Sequence, residues 1–469
     1  MRSIFSLFSW LCLDLGLVYK KIDMEDRLRI SVSGIRGEVP GALNVEVASK
    51  FSSAFSSYLE EGQIALCRDP RCSSRMLEMA VLSSVIACGL DCANFGMLPT
   101  PFLQFLMRRE PFAGGISITG GHNPLSWNAI ILLDTGGDYL DVSEGSEVFN
   151  IYEAGVFNNV PWKELGHPQP KTFPLDLYLR EIAAIVDAER IRKMSYKVVA
   201  DPCNGATSTY LEDFGEHFNL DLISINDDPE KPFPHPPEPS VENAPQVEAV
   251  IKSTGADLGF LLNSDSSRIS FVNEKGEALS EEMTFPLCLL SLKGKINKAI
   301  TTTVTTSWAD WAAQNIGVIL SRTKVGQSSV VHIMESEGAE AGGEGSGGFC
   351  LLSFSLGYDS LLTLALILDF LSREEKNLSE LVQPFPHLYR KKAKIDVPPE
   401  RTYRIMDKLE EIYCKENPDY TDGIRVERKG VWFNIRPSLT EFVLRITIEG
   451  EKEEEVGSIE DELMDRIGL

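Results

Sequence analysis

Ile116-Ser117-Ile118-Thr119-Gly120-Gly121-His122-Asn123-Pro124 is the stretch on which the fold of this chain turns. Glycine at 121 carries no side-chain oxygen, so nothing can be esterified at that corner. Thr119 and His122 bring the neighbouring nucleophilic atoms, a hydroxyl and an imidazole. Outward from this stretch, short apolar runs alternate with longer amphipathic ones, which predicts βα units rather than an all-helical chain. Ile64–Cys67 reads as a buried strand, Arg68–Ser74 as a polar turn, and Met76–Cys88 as a helix stopped by Gly89. A second unit has the strand Tyr196–Ala200, a turn at Asp201–Gly205 and a helix to about Phe214. A third has the strand Leu258–Leu262, the loop Asn263–Arg268 and the strand Ile269–Asn273.

Prolines punctuate these blocks. Pro168–Pro174 reads as a connection between domains, and Pro229–Pro239, with six prolines in eleven residues, as an extended loop. Pro384–Pro399 separates an apolar helix, Leu361–Leu371, from a final α+β block. That block holds a charged helix over Arg404–Tyr413 and strands at Ile424–Arg428, Val431–Ile435 and Phe442–Ile448. Glu449–Glu455 reads as a solvated acidic surface.

Composition narrows the function. With 469 residues the chain can form three or four domains, and 43% hydrophobic with 24% charged residues is globular. A net charge of −24 disfavours a nucleic-acid binder or an anionic membrane partner. It would also repel a sugar phosphate, so local arginines and lysines must reverse the potential in any cleft that takes one. Nine scattered cysteines, with no Cys/His set to complete a zinc site around Cys88 and Cys92, predict buried thiols in a reducing, cytoplasmic setting. The apolar run Ile4–Val18 is too short to span a bilayer, and Asp14 interrupts it. Residues 1–23 are therefore expected to be an upstream extension, with Met24 directly after it.

The opening stretch resembles the active-site loop of the α-D-phosphohexomutases, which reads Thr-Ala-Ser-His-Asn-Pro and whose serine carries the phosphoryl group. Six further matches follow the family order from about residue 28 to the C-terminus. Ser33–Gly37 is similar to the opening loop of the first domain, and Arg68–Ser74 to its Gly-Arg-Asp-Thr-Arg-x-Ser-Ser element. Gly96–Pro101 is similar to a Pro-Thr-Pro turn, and Phe233–Pro239 to the long loop of the second domain. Gly343–Gly347 resembles the sugar-contacting loop of the third, and Arg436–Glu441 the phosphate loop Arg-Pro-Ser-Gly-Thr-Glu of the fourth.

The resemblance implies an α/β fold of four domains around a central cleft, three mixed α/β and a smaller C-terminal α+β one. The expected boundaries are 24–165, 166–258, 259–380 and 381–469, with the metal-loop position 263–268 and sugar loop 342–348 in the third. The parent reaction moves a phosphoryl group between O1 and O6 of a hexose through a 1,6-bisphosphate, with Mg²⁺ neutralising phosphate charge. The family metal loop reads Asp-x-Asp-x-Asp-Arg; here it reads Asn263-Ser264-Asp265-Ser266-Ser267-Arg268. Asp265, with Asn263 and Ser267, either holds Mg²⁺ weakly or serves as a turn residue. Ala129 and Ile131 stand where the family reads Asn-Gly-Ile-Lys, and Gly348 where a histidine commonly follows the sugar loop. Arg36, His122 and Arg268 match the remainder of the catalytic centre. Arg322, Lys324, Glu344, Ser346, Arg436, Ser438, Thr440 and Arg445 match the substrate-binding half.

The expectation is a cytoplasmic hexose-phosphate binder whose phosphoryl transfer is lost or severely impaired. Its alternatives are a mutase or phosphatase that avoids serine, through His122 or free bisphosphate, and a purely structural or regulatory relative. A homo-oligomer or an active relative is the protein partner this leaves open.

Overall fold

The computed structural model describes residues 28–438 and 443–468; the expected extension 1–23 and Thr440 lie outside the described residues. The chain divides into two compact units, one of residues up to 284 with 346–381, the other of 285–345 with 382 onward.

In the first unit, β1 (Arg29–Ser31), β2 (Gly34–Glu38), β3 (Gln63–Arg68), β4 (Asp91–Met97), β5 (Gly114–Ile118), β6 (Trp127–Leu133) and β7 (Pro168–Pro170) form one sheet. Their order is β1-β2-β6-β5-β3-β4-β7. β5 runs parallel to β3 and antiparallel to β6, and every residue of it is buried, as a central strand covered on both faces requires. The helices Val45–Leu59 and Cys72–Ala87 contribute Phe51, Phe55, Leu77 and Val81 to the core beneath it.

A second sheet has β8 (Lys197–Asp201), β9 (Asp221–Ser224), β10 (Leu258–Leu262) and β11 (Ile269–Val272), in the order β11-β10-β8-β9. β10 is parallel to β8, and it is joined to β11 by a hairpin in which Leu262 pairs with Ile269. The loops after β5, β8 and β10 thus leave the carboxyl ends of strands with parallel neighbours, where α/β sheets place their ligands. The helix Ser360–Glu374, apolar and buried over almost its whole length, closes the unit and is capped by Asp359.

The second unit carries Lys298–Thr302 between the parallel strands Ile319–Thr323 and Ala341–Glu344. Its other sheet is antiparallel, in the order Tyr389–Asp396, Val443–Gly450, Val431–Pro437, Ile424–Arg428. The helices Pro399–Tyr413 and Glu453–Ile467 pack Leu409, Tyr413, Val456 and Leu463 against Phe433 and Ile446.

Several expectations are corrected. The helix expected from Met76 begins at Cys72, inside the expected turn, because Asp69 accepts hydrogen bonds from the Arg71 amide and the Ser74 hydroxyl and ends the loop early. Pro168–Pro170 is an edge strand paired with β4, a place where prolines are tolerated. The turn after β8 passes through a 3₁₀ segment, Ala206–Tyr210, before the helix Leu211–Phe218. The proline-bounded segment 384–399 contains the strand Tyr389–Asp396. Cys72 and Cys414 are exposed rather than buried. The loop 263–268, expected in the third domain, is carried by the second sheet. Glu449 is not on an acidic surface: it is 1% exposed and paired to Arg390 at 2.7 Å. Glu453, Glu454 and Glu455 form the first turn of a helix, where negative charge suits the helix dipole.

Candidate functional site

Asp69 lies at the start of the loop after β3, is 1% exposed, and gathers donors from three segments. The Arg71 Nε, the Ser74 hydroxyl and the Thr119 hydroxyl reach it at 3.0, 2.6 and 2.9 Å. Ser264 from the hairpin loop adds a weaker contact at 3.3 Å. A buried carboxylate so thoroughly bonded is a structural hub.

Arg71, itself 2% exposed, turns the hub into a brace. Its guanidinium donates to the carbonyls of Pro124, Gly121 and Asn123 at 2.7, 2.8 and 2.7 Å. The bend 120–124 is therefore held by its backbone, and Ser264 adds a bond to the Gly121 carbonyl at 2.8 Å. Four of Arg71's five N–H donors are committed within the protein, so its work is to grip the loop. Gly120 is what permits this approach: a Cβ there would stand 2.6 Å from the Arg71 guanidinium carbon.

Gly121 has φ +55°, the left-handed region, and its amide donates to the Thr119 hydroxyl at 2.9 Å. A Cβ built on it would find Asp265 Oδ2 at 3.6 Å, ordinary van der Waals distance. The position is open, and it faces the carboxylate of the next loop.

One oxygen of that carboxylate is occupied by protein donors. Asp265 Oδ1 accepts from the Asn263 amide and the Ser267 hydroxyl, each at 2.7 Å, and from the Ser267 backbone N–H at 3.2 Å. Oδ2 faces Thr119 Oγ1 at 3.3 Å. Asn263, through its carbonyl oxygen, also accepts from the Arg268 amide at 3.0 Å, which turns its NH₂ toward Asp265. Among the described residues, no group of three or more His, Cys, Asp or Glu is placed to hold a metal ion.

Cationic groups surround this loop. Arg36 is half-buried, donates to the Ser33 carbonyl at 3.0 Å and to the Asn123 side chain at 3.1 Å, and has no carboxylate partner among the described residues. Burial pushes its pKa down, against the pull of Tyr139 and Asp265, yet a guanidinium remains charged. Arg268 lies 3.7 Å from Glu238. His122 is half-buried beside the bend. Ile131, which the resemblance sets against a family lysine, is a buried aliphatic side chain of β6.

The remaining expected residues divide between the units. Ser346 belongs to the first and is half-buried. A Cβ at Gly348 would meet the Tyr358 ring at 2.3 Å, so that ring fills the space a histidine would need. In the second unit, Glu344 accepts from the Gly326 amide at 2.9 Å, and Arg436 and Arg445 stand opposite one another on paired strands. Arg436 lies 3.7 Å from Asp422, and Arg445 donates to Ser438 at 3.3 Å. Burial, then Arg445, lowers Arg436, while Asp422 and Glu344 oppose the shift. Lys324 is exposed. Arg322 is spent on Asp310 at 2.6 Å and on the Thr302 and Thr305 carbonyls, so it braces its own domain.

Sequence reasoning missed Asp69 as the hub and Gly120 as the gap that admits Arg71. Asp69 lies within the Arg68–Ser74 element that the sequence marks, and Gly120 within a pair of glycines where one would serve a turn.

Comparison with known proteins accounts for nearly the whole described chain. The phosphoglucomutase/phosphomannomutase α/β/α domains I, II and III match residues 28–159, 176–276 and 283–389, and the C-terminal domain of that family matches 394–466. A probable phosphoglucosamine mutase of Pyrococcus horikoshii is 32% identical over 431 residues, 90% of this chain and 94% of the relative. A phosphoglucomutase/phosphomannomutase of Thermococcus kodakarensis is 32% identical over 432 residues, with 90% and 94% covered. Among solved structures, a phosphoglucomutase/phosphomannomutase family protein of Burkholderia thailandensis superposes with TM-score 0.79 at 22% identity, covering 95% of this chain and 98% of that one. A putative phosphomannomutase of Thermus thermophilus gives 0.78 at 20% identity, with 94% and 98% covered.

Proposed function

This chain belongs to the phosphoglucomutase/phosphomannomutase family, and from that premise we propose that it binds hexose phosphates while relaying a phosphoryl group between their hydroxyls very slowly or not at all. The observation that carries the reading is the pairing of Gly121 with an Asp265 whose Oδ1 is already taken by protein donors. An oxygen nucleophile is missing at the open corner, and the carboxylate across from it is held through its Oδ1 by an amide, a hydroxyl and a backbone N–H. Phosphoryl transfer rests on positioning and charge neutralisation, and both depend on this pair of loops.

Magnesium belongs with the family: an N-acetylphosphoglucosamine mutase of Aspergillus fumigatus was crystallised with GlcNAc-6P and magnesium. The donor set here does not fit it. Mg²⁺ wants oxygen ligands in a near-octahedral shell. The Asn263 NH₂ instead points a hydrogen-bond donor at the one carboxylate, and Ser267 adds another. The binding half retains suitable chemistry, with Arg436 and Arg445 for a phosphate and Glu344 for sugar hydroxyls.

The test is incubation of the purified protein with glucose 1,6-bisphosphate labelled in phosphorus, alongside an isomerisation assay with glucose, mannose and glucosamine phosphates. The expected result is no stable label and no turnover, with calorimetric binding of at least one hexose phosphate that is indifferent to Mg²⁺. Labelled protein together with metal-dependent interconversion would reject the proposal.

A further inference from the structure

The loop 229–239 has few ways to attach itself. Its prolines lack amide donors, and the backbone bonds made by its own amides, Lys231 to Asp228 and Glu238 to Pro236, are local. Side chains must do the anchoring. Asn204 donates to the Pro232 carbonyl at 2.6 Å, and Asn243 to the Glu238 carbonyl at 2.8 Å. The principal charged contact is His235, whose Nε2 lies 3.2 Å from Asp201 Oδ2 and whose Nδ1 lies 2.8 Å from the Pro236 carbonyl.

What the loop carries gives the anchor its importance. Phe233 lies against the Arg71 guanidinium, 5.0 Å from ring centre to carbon, and Glu238 stands 3.7 Å from Arg268. Arg71 is the brace of the 120–124 bend. We infer that His235 is a positioning residue: as an imidazolium bonded to Asp201, it latches the proline-rich loop onto Arg71 and so fixes the shape of the bend that bears Gly121. The inference rests on the reading of that bend as the ligand-facing loop.

The charge state follows from the acceptors. Both ring nitrogens face an oxygen that can only accept, Asp201 on one side and the Pro236 carbonyl on the other, so each nitrogen must carry a proton. Asp201 is fully buried and is held by the Cys203 amide and the Asn226 side chain, which leaves it a fixed counter-ion. Burial works against the His235 charge, but the bonds to Asp201, Cys203 and Pro236 push it up to about 10.

Cys203, His235 and Asp201 are also the residue types of a thiol triad, and Cys203 has φ +55°. The geometry favours the latch. The thiol is fully buried, lies 3.7 Å from Nδ1, and meets a nitrogen whose proton points at Pro236. Such a ring cannot serve as a base toward sulfur.

The test compares wild type with His235→Gln, which removes the charge, and His235→Lys, which keeps one, by hydrogen–deuterium exchange at residues 119–124. Exchange there should quicken about tenfold in the Gln variant with β8 and β10 still protected, and Lys should recover part of the loss. Calorimetric affinity for glucose 6-phosphate should fall about fivefold in the Gln variant and recover in the Lys one. Unchanged exchange at 119–124 in His235→Gln overturns the inference. If wild type binds no glucose 6-phosphate, the proposed function fails and the exchange result alone decides the latch. Should His235→Gln not fold, ¹³C-labelled histidine in wild type decides: an imidazolium at pH 8.5 is the expected signal, and a neutral His235 ring refutes the latch.

Discussion

At residue 121, a serine is sterically admissible and chemically insufficient. Its Cβ would meet only Asp265 Oδ2 within 4 Å, at 3.6 Å, and the left-handed backbone costs a non-glycine residue about 1–2 kcal/mol. Gly121→Ser should therefore fold with a slightly lowered Tm and still fail to take label from glucose 1,6-bisphosphate, because Asn263 continues to engage Asp265. The double variant Gly121→Ser with Asn263→Asp should take label in the presence of Mg²⁺; full mutase activity in the single variant would show the metal loop to be adequate as it stands. Gly120 is less forgiving. Gly120→Ala places a carbon 2.6 Å from Arg71, and displacing that brace should cost about 1–3 kcal/mol in denaturant unfolding. The missing hydroxyl was legible from the sequence, since a residue type is its own evidence. The hub at Asp69 was not, because its partners come from residues 71, 74, 119 and 264, which only the folded chain assembles.

Among elements, the apolar helix Ser360–Glu374 was plain in the sequence, but its cap was not. Asp359 accepts from the Tyr178 hydroxyl at 2.7 Å and the Leu362 amide at 3.0 Å, while its second oxygen has no hydrogen-bond partner among the described residues. Burial pushes it up to about 6, against those two bonds. A carboxyl whose folded value lies above its unfolded value near 4 favours the fold below that lower value and loses this contribution as pH rises to about 6. Asp359→Asn, an equally good cap, should thus be the more stable protein at pH 8 by about 2–3 kcal/mol, with the advantage fading toward pH 4. A wild type that gains on the variant as pH rises would contradict this. Glu449 behaves in the opposite sense. Burial would raise it, but Arg390 and the Ser307 and Thr306 donors hold it below the usual carboxylate range. Its contribution is present above the unfolded value and is lost as pH falls through the folded one. Glu449→Gln should cost about 3–5 kcal/mol at pH 7 by leaving Arg390 buried without its counter-charge. The acidic run misled because charge density is a property of sequence, whereas the strand ending at Gly450 turns one of those glutamates inward.

On the scale of the whole molecule, order along the chain was more legible than partition. Seven local resemblances in family order anticipated the architecture, because each loop keeps its own residue signature. The contact units cut across that order, since the segment 346–381 groups with the residues up to 284. Long-range packing of this kind has no periodicity to betray it. The C-terminal block is an exception, because its core cluster from Ile395 to Ile467 is drawn entirely from its own residues. A fragment of residues 385–469 should accordingly give a cooperative thermal transition and dispersed amide resonances, and a non-cooperative melt would show that it depends on the segment 285–345. No helix among the described residues is long and apolar enough to cross a membrane.

Arg71 seizes carbonyl oxygens, groups that every amino acid supplies alike. Mutation at position 121 therefore leaves that grip intact, and the fold loses only what a left-handed backbone costs a residue that has a Cβ. The same backbone grip makes this polypeptide a host for a small side chain introduced at that corner, at a modest cost in stability.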